Sequence, residues 1–286
     1  MTVSAAERVE AVPQEDAKPY QGGRIGIGVG TAMLMAMLAA GVSVPLLSPY
    51  PPNELIARPF RPPSLEFFFG TDQLGRDVFT RVFAAVYRDL GVAFLGVSIP
   101  LVIGTVVGVL LSISRSKIAV SIVGSFIDAI NALPLLVLAI ALIALFGPGL
   151  WSIVVVLAMT NWARYARIAR TRATLVNRQG YIEAARIQGY PATRIFVRHF
   201  LPNVSSETVA YALSDFILVI MLISGLSFLS LGAAPPTAEW GVMMSEGRPF
   251  VQQAWWVTIF PGLALCWAGI SLSFIAEGLS RRERGI

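Results

Sequence analysis

Long apolar runs alternate with short polar segments along almost the whole chain. A helix that crosses a bilayer needs about 20 mostly apolar residues, because lipid offers no partner for backbone N–H and C=O groups. Six stretches meet this requirement, and each is predicted to be a membrane-spanning helix. They cover approximately residues 25–47, 90–113, 118–146, 150–168, 209–231 and 254–276. The predicted fold class is an all-α polytopic membrane protein.

Composition agrees with a chain that lies in lipid. Of its 286 residues, 55% are hydrophobic and only 14% are charged, and the mean hydropathy is +0.68. A soluble globule of this size cannot cover its surface with so few polar side chains. The net charge of +5 does not indicate a nucleic-acid partner, because the basic residues are dispersed among apolar runs.

The distribution of Lys and Arg predicts the orientation of the spans, since cytoplasmic loops are enriched in both. If the N-terminus is cytoplasmic, sixteen of these residues lie inside and six lie outside. We therefore expect both termini in the cytoplasm. The predicted units are a cytoplasmic tail (1–24), a first transmembrane helix (25–47), an external loop (48–89), a five-helix core (90–277) and a second cytoplasmic tail (278–286).

The external loop is rich in proline and then contains the sequence GTDQLGRDVFTR at residues 70–81. Thr71 or Asp72 is predicted to cap a short helix in which Asp77 and Arg81 pair at i, i+4. Two interpretations stay open. The segment is a solvated amphipathic helix on the outer surface, or it contacts an external partner. The candidate contact residues are Asp72, Arg76, Asp77 and Arg81.

The polar segment at residues 171–203 is predicted to form a helix, a sharp turn and a second helix. Strong helix formers precede Gly189, which suits the position after a helix C-terminus, and Pro191 suits the first turn of the next helix. Two adjacent alanines leave a shallow surface on which another backbone can pack closely. By i, i+3 and i, i+4 spacing, one face of the first helix consists of Tyr181, Ala184, Ala185 and Gln188.

The second helix of this segment carries an apolar stripe of Ile195, Phe196, His199 and Phe200. Such a stripe in a cytoplasmic loop must be buried against something. It packs against the ends of the protein's own spans or docks on a partner, and both hold if the stripe faces the bundle while the alanine face points outward. The Leu-Pro-Asn sequence at 201–203 is expected to end this helix before the fifth span.

The same segment resembles the EAA signature of permease subunits of ATP-binding-cassette (ABC) importers. The resemblance rests on Glu183-Ala184-Ala185, on Gly189 after three further residues, and on Leu201-Pro202. His199 departs from the broad consensus, which usually has isoleucine there, and the Arg-His-x-Leu-Pro-Asn ending is similar to the dipeptide, oligopeptide and nickel branch. Residues 70–81 also resemble that branch, with threonine at position 80 where serine is more usual. The likeness is closest to permeases of the DppC or OppC type.

The resemblance implies the type I importer permease fold with six transmembrane helices, in the bacterial cytoplasmic (inner) membrane. It implies a second homologous permease of the DppB or OppB type, two ATP-binding subunits and an external solute-binding protein. In that family the cytoplasmic loop is the coupling helix, which sits in a cleft on the ATP-hydrolysing subunit. The chain has no G-x-x-x-x-G-K-[ST] loop, so ATP and Mg are expected on the partner subunits and no cofactor on this non-catalytic chain. The expected function is peptide import.

Candidate site residues form two groups besides the external one. From the resemblance, the ATPase-coupling set comprises Glu183, Ala184, Ala185, Arg186, Gly189, His199, Leu201 and Pro202. Acidic groups inside spans are costly and normally face the bundle or water. The residues predicted to line the pathway, or to hydrogen-bond between helices, are Asp128, Asn131, Pro134, Ser214 and Asp215. No metal site is expected, since one histidine and one cysteine lie in separate regions.

An ion-coupled secondary transporter is the alternative class. It would carry several acids within the membrane and inverted repeats, whereas the spans hold only Asp128 and Asp215 and show no convincing internal repeat. The same permease role for nickel chelates or other small solutes also stays open, because specificity in such systems rests largely with the binding protein.

Overall fold

The computed structural model describes residues 22–283, with side chains for residues 25–280. Within that part of the chain the regular backbone is helical, apart from one antiparallel bridge between Thr71 and Asp77. The all-α fold class is confirmed. The α-helices are α1 (Gly22–Leu47), α2 (Val78–Ile113), α3 (Lys117–Ala132), α4 (Leu135–Phe146), α5 (Leu150–Asn177), α6 (Gly180–Ile187), α7 (Ala192–Ile195), α8 (Leu201–Phe228), α9 (Trp240–Gly247) and α10 (Trp256–Glu283). A π-helical turn (Phe196–Phe200) joins α7 to α8, and a 3-10 turn (Arg248–Phe250) follows α9.

Four helical stretches in the described residues are long and apolar enough to cross a membrane: Ile25–Leu47, Val78–Ile113, Ala192–Phe228 and Trp256–Ser280. The pair α3 and α4 adds a fifth if it is counted as one broken span. Helix α5 is not in this set, because four arginines interrupt the apolar run in its second half. The first predicted span has the expected bounds, but the predicted count of six is not confirmed.

The third predicted span, residues 118–146, is not a single helix. Helices α3 and α4 meet at an angle of 98°. Pro134 has no backbone N–H and disfavours helical backbone in the residue before it, and Leu133 is extended with φ −85° and ψ 138°. The kink expected at this proline is a full break. Most side chains of both helices remain at the surface of the chain.

Helix α2 begins at Val78, twelve residues before the predicted start of the second span. The Asp77 carboxylate caps it by accepting a hydrogen bond from the Thr80 N–H at 2.8 Å. The cap therefore lies at Asp77 and not at Thr71 or Asp72. Hydropathy missed the first three turns because they carry three charged side chains, Arg81, Arg88 and Asp89. Arg81 donates to the Pro236 carbonyl, Arg88 donates to the Ala238 carbonyl, and Asp89 accepts from the Trp240 N–H.

Helices α2 and α5 run in the same direction and pack closely. A Cβ added at Gly104 would meet the Trp162 carbonyl oxygen and lie 2.5 Å from the Tyr165 Cβ, and one added at Gly108 would lie 2.7 Å from the Ala169 Cβ. The contacts therefore advance along both helices together. Only glycine permits this approach, which is the small-residue packing typical of helices in membranes.

Helix α8 runs opposite to α2 and α5, and α1 runs opposite to α10. The connecting segments therefore gather at the two ends of the bundle. One end holds residues 48–77, the turn at 147–149 and α9. We call it the α9 end. The other holds α6, the corner between α2 and α3, the start of α1 and the end of α10, and we call it the α6 end.

The α2–α5 contact predicts different outcomes for two glycine-to-alanine substitutions on α2. Gly108→Ala is expected to lower the midpoint of thermal unfolding, because forcing a methyl group into a packed contact costs about 1–3 kcal/mol. Gly91→Ala is the matched control, since nothing lies within 4 Å of its added Cβ. Heating the purified full chain in detergent and measuring the soluble fraction by size exclusion gives both midpoints. Equal midpoints for the two variants would contradict the close packing.

Candidate functional site

Helix α6 ends in a tight turn at the α6 end of the bundle. Gly189 has φ +77°, the Gly189 N–H donates to the Arg186 carbonyl at 3.0 Å, and the Tyr190 N–H donates to the Ala185 carbonyl at 3.1 Å. These two bonds are the Schellman pattern, in which glycine takes the left-handed position after the helix. The predicted turn at Gly189 is confirmed. Pro191 was expected in the first turn of the next helix and lies one position earlier, as the N-cap residue of α7.

The inner face of α6 is packed into the bundle. Ile182 is fully buried and Ala185 is 5% exposed, and both belong to a cluster that we call the α6 anchor. The two adjacent alanines of the EAA sequence therefore do different things, because Ala185 contacts the bundle while Ala184 is exposed. The shallow face predicted from both is wrong for Ala185. The other anchor residues are Val109, Ala169, Ala173, Val176, Ile195, Phe200 and Val204.

The outer face of α6 carries an exposed aliphatic side chain. Ile187 is 81% exposed, beside exposed Glu183 and Ala184 and a Tyr181 ring that is 44% exposed. The predicted coupling set did not include Ile187. Its spacing could have indicated it, since Ile187 lies three residues after Ala184 and therefore on the same face of the helix. An apolar side chain this exposed at the end of a short helix is a candidate contact for another protein.

The apolar stripe after the turn packs against the bundle. Ile195 and Phe200 are 6% and 1% exposed and lie in the α6 anchor. His199 is half-buried, with its ring centroid 5.8 Å from that of Tyr181. Thus the stripe is covered by the chain's own helices, and the outer face of α6 is left open.

The helix after the stripe does not end at Leu201-Pro202 as predicted. One continuous helix runs over Ala192–Phe228. The π-helical turn precedes Pro202, and in it the Leu201 N–H donates to the Phe196 carbonyl, one residue further back than in an α-helix. This change of register lets proline, which lacks an N–H, stand in the first turn of α8. Leu201 and Pro202 therefore join the segment to the fifth predicted span without a break.

The predicted pathway residues lie in two places. Asp215 is 1% exposed and accepts a hydrogen bond from the Tyr165 hydroxyl at 2.8 Å, which ties α8 to α5. Asp128 is exposed and pairs with Arg167 at 2.7 Å. The Asn131 amide donates to the carbonyl of Ile127. Asp128, Asn131 and Pro134 form one group, and Ser214 and Asp215 on α8 form the other. Within residues 25–280 no hydrogen bond or ion pair joins the two groups. Pro134 and Ser214 are both exposed.

The four external candidates are buried. Asp72 contacts Arg76 at 2.5 Å, and Arg76 contacts Glu246, in the last turn of α9, at 2.9 Å. The Arg81 guanidinium lies 3.7 Å from both carboxylates and donates to the Asn53 side chain at 2.9 Å. The predicted Asp77–Arg81 pair is replaced by these contacts.

Because Arg76 and Arg81 are 1% and 0% exposed, the solvated-helix interpretation of this segment is wrong. Contact with an external partner stays a prediction. Because the four candidates are buried, such a contact would be made by the surface that they hold in place. The network contains two arginines and two carboxylates, so its charges balance. Buried charges require such pairing, since an unpaired ion loses its hydration without compensation.

Helix α9 is fastened to α2 by the buried Trp240 and the Asp89 carboxylate. The Trp240 N–H donates to Asp89 at 3.0 Å, and the indole N–H donates to the Val82 carbonyl at 2.9 Å. Glu239 caps α9 by accepting from the Gly241 and Val242 N–H groups, each at 3.0 Å. Burial raises the pKa of the Glu239 carboxyl above its ordinary value.

Comparison with known proteins identifies the family. The family model described as binding-protein-dependent transport system inner membrane component matches residues 65–285. The chain belongs to this family. The dipeptide transport system permease protein DppC of Alkalihalophilus pseudofirmus is 33% identical over 257 residues, covering 88% of this chain and 83% of the relative. The di/tripeptide transport system permease protein DppC of Pseudomonas aeruginosa is 31% identical, covering 87% of this chain and 84% of the relative.

A solved structure shows the same fold. A chain of an amino acid ABC transporter, crystallised with histidines, aligns with a TM-score of 0.53 and 20% identity over 72% of this chain and 94% of that chain. The family's inner-membrane permease fold is therefore confirmed. The family match also agrees with the DppC-type resemblance of the α6 segment and residues 70–81, and it gives no support to an ion-coupled transporter.

The buried network predicts that Arg76→Met is strongly destabilising. It leaves two carboxylates without their closest counter-ion, and breaking a buried pair costs about 3–5 kcal/mol. Arg61→Met is the control, because its pair with Glu66 at 3.0 Å has side chains 45% and 52% exposed, and such pairs contribute about 0–1 kcal/mol. Thermal unfolding of the two variants in detergent compares them. Similar midpoints would show that the network does not hold the α9 end together.

The raised pKa of Glu239 predicts a pH-dependent difference between the natural chain and Glu239→Gln. A raised carboxyl pKa means that the folded state holds its proton to higher pH than the unfolded state, so protonation at lower pH adds stability. As the pH falls from about 7 toward the ordinary value of 4.5, the natural chain should gain thermal stability relative to Glu239→Gln. A difference that stays constant with pH would contradict this prediction.

Proposed function

We propose that this chain is the permease subunit of an ATP-driven importer of di- or oligopeptides and forms half of its translocation pathway. Membership of a binding-protein-dependent family supports import of a solute delivered by a binding protein. The names of both relatives described above support peptides as that solute. In this function the chain is non-catalytic, and ATP and Mg are bound and hydrolysed by separate subunits.

The proposed complex contains this chain, a second permease of the DppB or OppB type, two ATP-binding subunits and an external solute-binding protein. The α6 end faces the cytoplasm and the α9 end faces outward in the bacterial inner membrane, with both termini in the cytoplasm. The excess of arginine at the α6 end supports this orientation, since positive side chains are retained on the cytoplasmic side.

The observation that carries the proposal is the exposed face of α6. Ile187, Ala184 and Glu183 project from a short helix whose opposite face is buried. An apolar centre with a charged rim is the composition of a protein contact. We assign this face to the ATP-binding subunit. Ala185 and Gly189 then act indirectly, by holding α6 on the bundle and closing its turn, and Arg186 does so through its hydrogen bond to Asn177 at 2.5 Å.

Motion of α6 can reach the membrane through the α6 anchor. Ile182 and Ala185 pack on side chains of α5 and of the α7–α8 helix, and close-packed interiors transmit displacement because they compress little. The continuous helix over Ala192–Phe228 makes α8 a rigid extension of the coupling segment. A push on α6 therefore tilts α5 and α8 together, which are joined again by Tyr165 and Asp215.

In the same proposal the broken α3–α4 pair lines the pathway. Asp128, Asn131 and Pro134 lie on or beside this break at the surface of the chain, where a second permease would complete a passage. Ser214 is exposed on α8 and is compatible with that role. Asp215 is buried and acts as a link between helices, which was the second of its two interpretations.

The coupling assignment predicts that Ile187→Asp combined with Glu183→Lys abolishes uptake of a labelled dipeptide. Both side chains are exposed, so folding and membrane insertion should be retained while the ATP-binding subunits no longer co-purify with the chain. Ile187→Val with Glu183→Asp is the matched control, because it keeps both the apolar centre and the charge. The assay uses cells that express the complete transport system.

Two results would count against the proposal. Unchanged uptake and co-purification in the double variant would remove the coupling assignment. If cells with the natural system take up a labelled nickel chelate but not the labelled dipeptide, the nickel alternative would replace the peptide substrate, and the coupling assignment would stay intact.

A further inference from the structure

A cavity of about 670 Å³ lies at the α6 end, between the C-terminus of α2 and the turn that follows α6. Neither the coupling contact nor the pathway uses it. Its walls combine cationic, hydroxyl and apolar groups. The residues that decide its chemistry are Arg115, Arg186, Ser112, Ser114, Tyr190 and Phe196.

Two guanidinium groups give the cavity its charge. Arg115 lines it from the loop after α2 and Arg186 lines it from α6, and none of the lining residues is acidic. The Asn177 side chain accepts a hydrogen bond from Arg186 and orients it without neutralising it. Among the described residues, the Arg115 side chain has no hydrogen bond or ion pair. Both cations are therefore available to an anion.

The partial charges of the helix ends at the cavity do not reverse its positive charge. The C-terminus of α2 brings roughly half a negative charge near Ile113, and the N-terminus of the continuous helix that starts at Ala192 brings a similar positive charge. Their effects offset each other. The two full charges of the arginines then determine that the cavity prefers an anion.

The depth of the cavity indicates the source of that anion. Ile113 is the last residue of an apolar span, and Arg115 follows it by two positions. This is the level at which a span leaves the hydrocarbon and meets lipid headgroups. Serine hydroxyls suit phosphate oxygens, while Phe196 and the Tyr190 ring suit the less polar part of a lipid.

We propose that this cavity binds a phosphate group, and that the group belongs to the headgroup of an anionic phospholipid such as phosphatidylglycerol. The phosphate lies between Arg115 and Arg186 and so bridges the loop after α2 to α6. A lipid in this place supports the coupling segment against the bundle and makes its rigidity depend on the anionic lipid of the membrane. The proposal does not depend on the transported solute.

The test is native mass spectrometry of the full chain, released from micelles that hold equal amounts of phosphatidylglycerol and phosphatidylcholine. The natural chain should retain phosphatidylglycerol preferentially. Arg115→Gln with Arg186→Gln should lower the ratio of the two adducts by roughly thirtyfold, the factor expected for two arginines at an anionic surface. Arg178→Gln with Arg198→Gln is the matched control, because these arginines are exposed at the same end but do not line the cavity.

Two further arms separate the possible outcomes. Arg115→Lys with Arg186→Lys keeps both charges and should keep most of the preference, which distinguishes lost binding from a misfolded variant. Inorganic phosphate in large excess should not displace the lipid from the natural chain. Displacement by phosphate would overturn the lipid assignment in favour of free phosphate, and equal ratios for the two glutamine variants would overturn the site.

Discussion

The parallel contact between α2 and α5 is the constraint on which the other features of this chain depend. Glycines at 104 and 108 bring the two backbones so close that neither helix can move along the other without a clash. The buried charge network of the α9 end lies around the start of α2 and includes Arg81 of its first turn. The last turns of α5 lead directly into α6. One rigid contact therefore joins the α9 end of the bundle to the α6 end.

Charged residues are used differently at the two ends of the bundle. At the α9 end, Arg76 and Arg81 are buried and share two carboxylates, so the charges serve to hold irregular loops around the start of α2. At the α6 end most arginines are exposed. The difference follows from burial, because a charge without water requires an opposite charge close by.

Proline has opposite effects at two positions, and neighbouring backbone explains why. Pro134 follows a residue that turns out of the helix, and α3 and α4 separate at 98°. Pro202 follows a π-helical turn that has already moved the hydrogen-bond register, and the helix continues. The missing N–H is the same in both cases. What differs is whether the preceding turn can remain helical without that donor.

Much of the candidate site was predictable from the sequence, because it depends on local chemistry. Apolar length located the first span, and the glycine at 189 with its neighbours predicted the turn after α6. The spacing of the EAA segment predicted the family that the comparisons confirmed. Each of these properties involves residues within a few turns of one another.

Only the tertiary structure decided which side chains are buried and which are exposed. It buried Ala185 and exposed Ala184, it left Ile187 open, and it placed Arg76 against Glu246, 170 residues away. Spacing along a helix shows which side chains share a face but not which face the bundle covers. The sequence by itself determined the first span, the turn after α6 and the family. Burial depends on packing between distant segments, so the structure alone distinguished the exposed face of α6 from its buried face and showed that residues 70–81 form a buried network of charges.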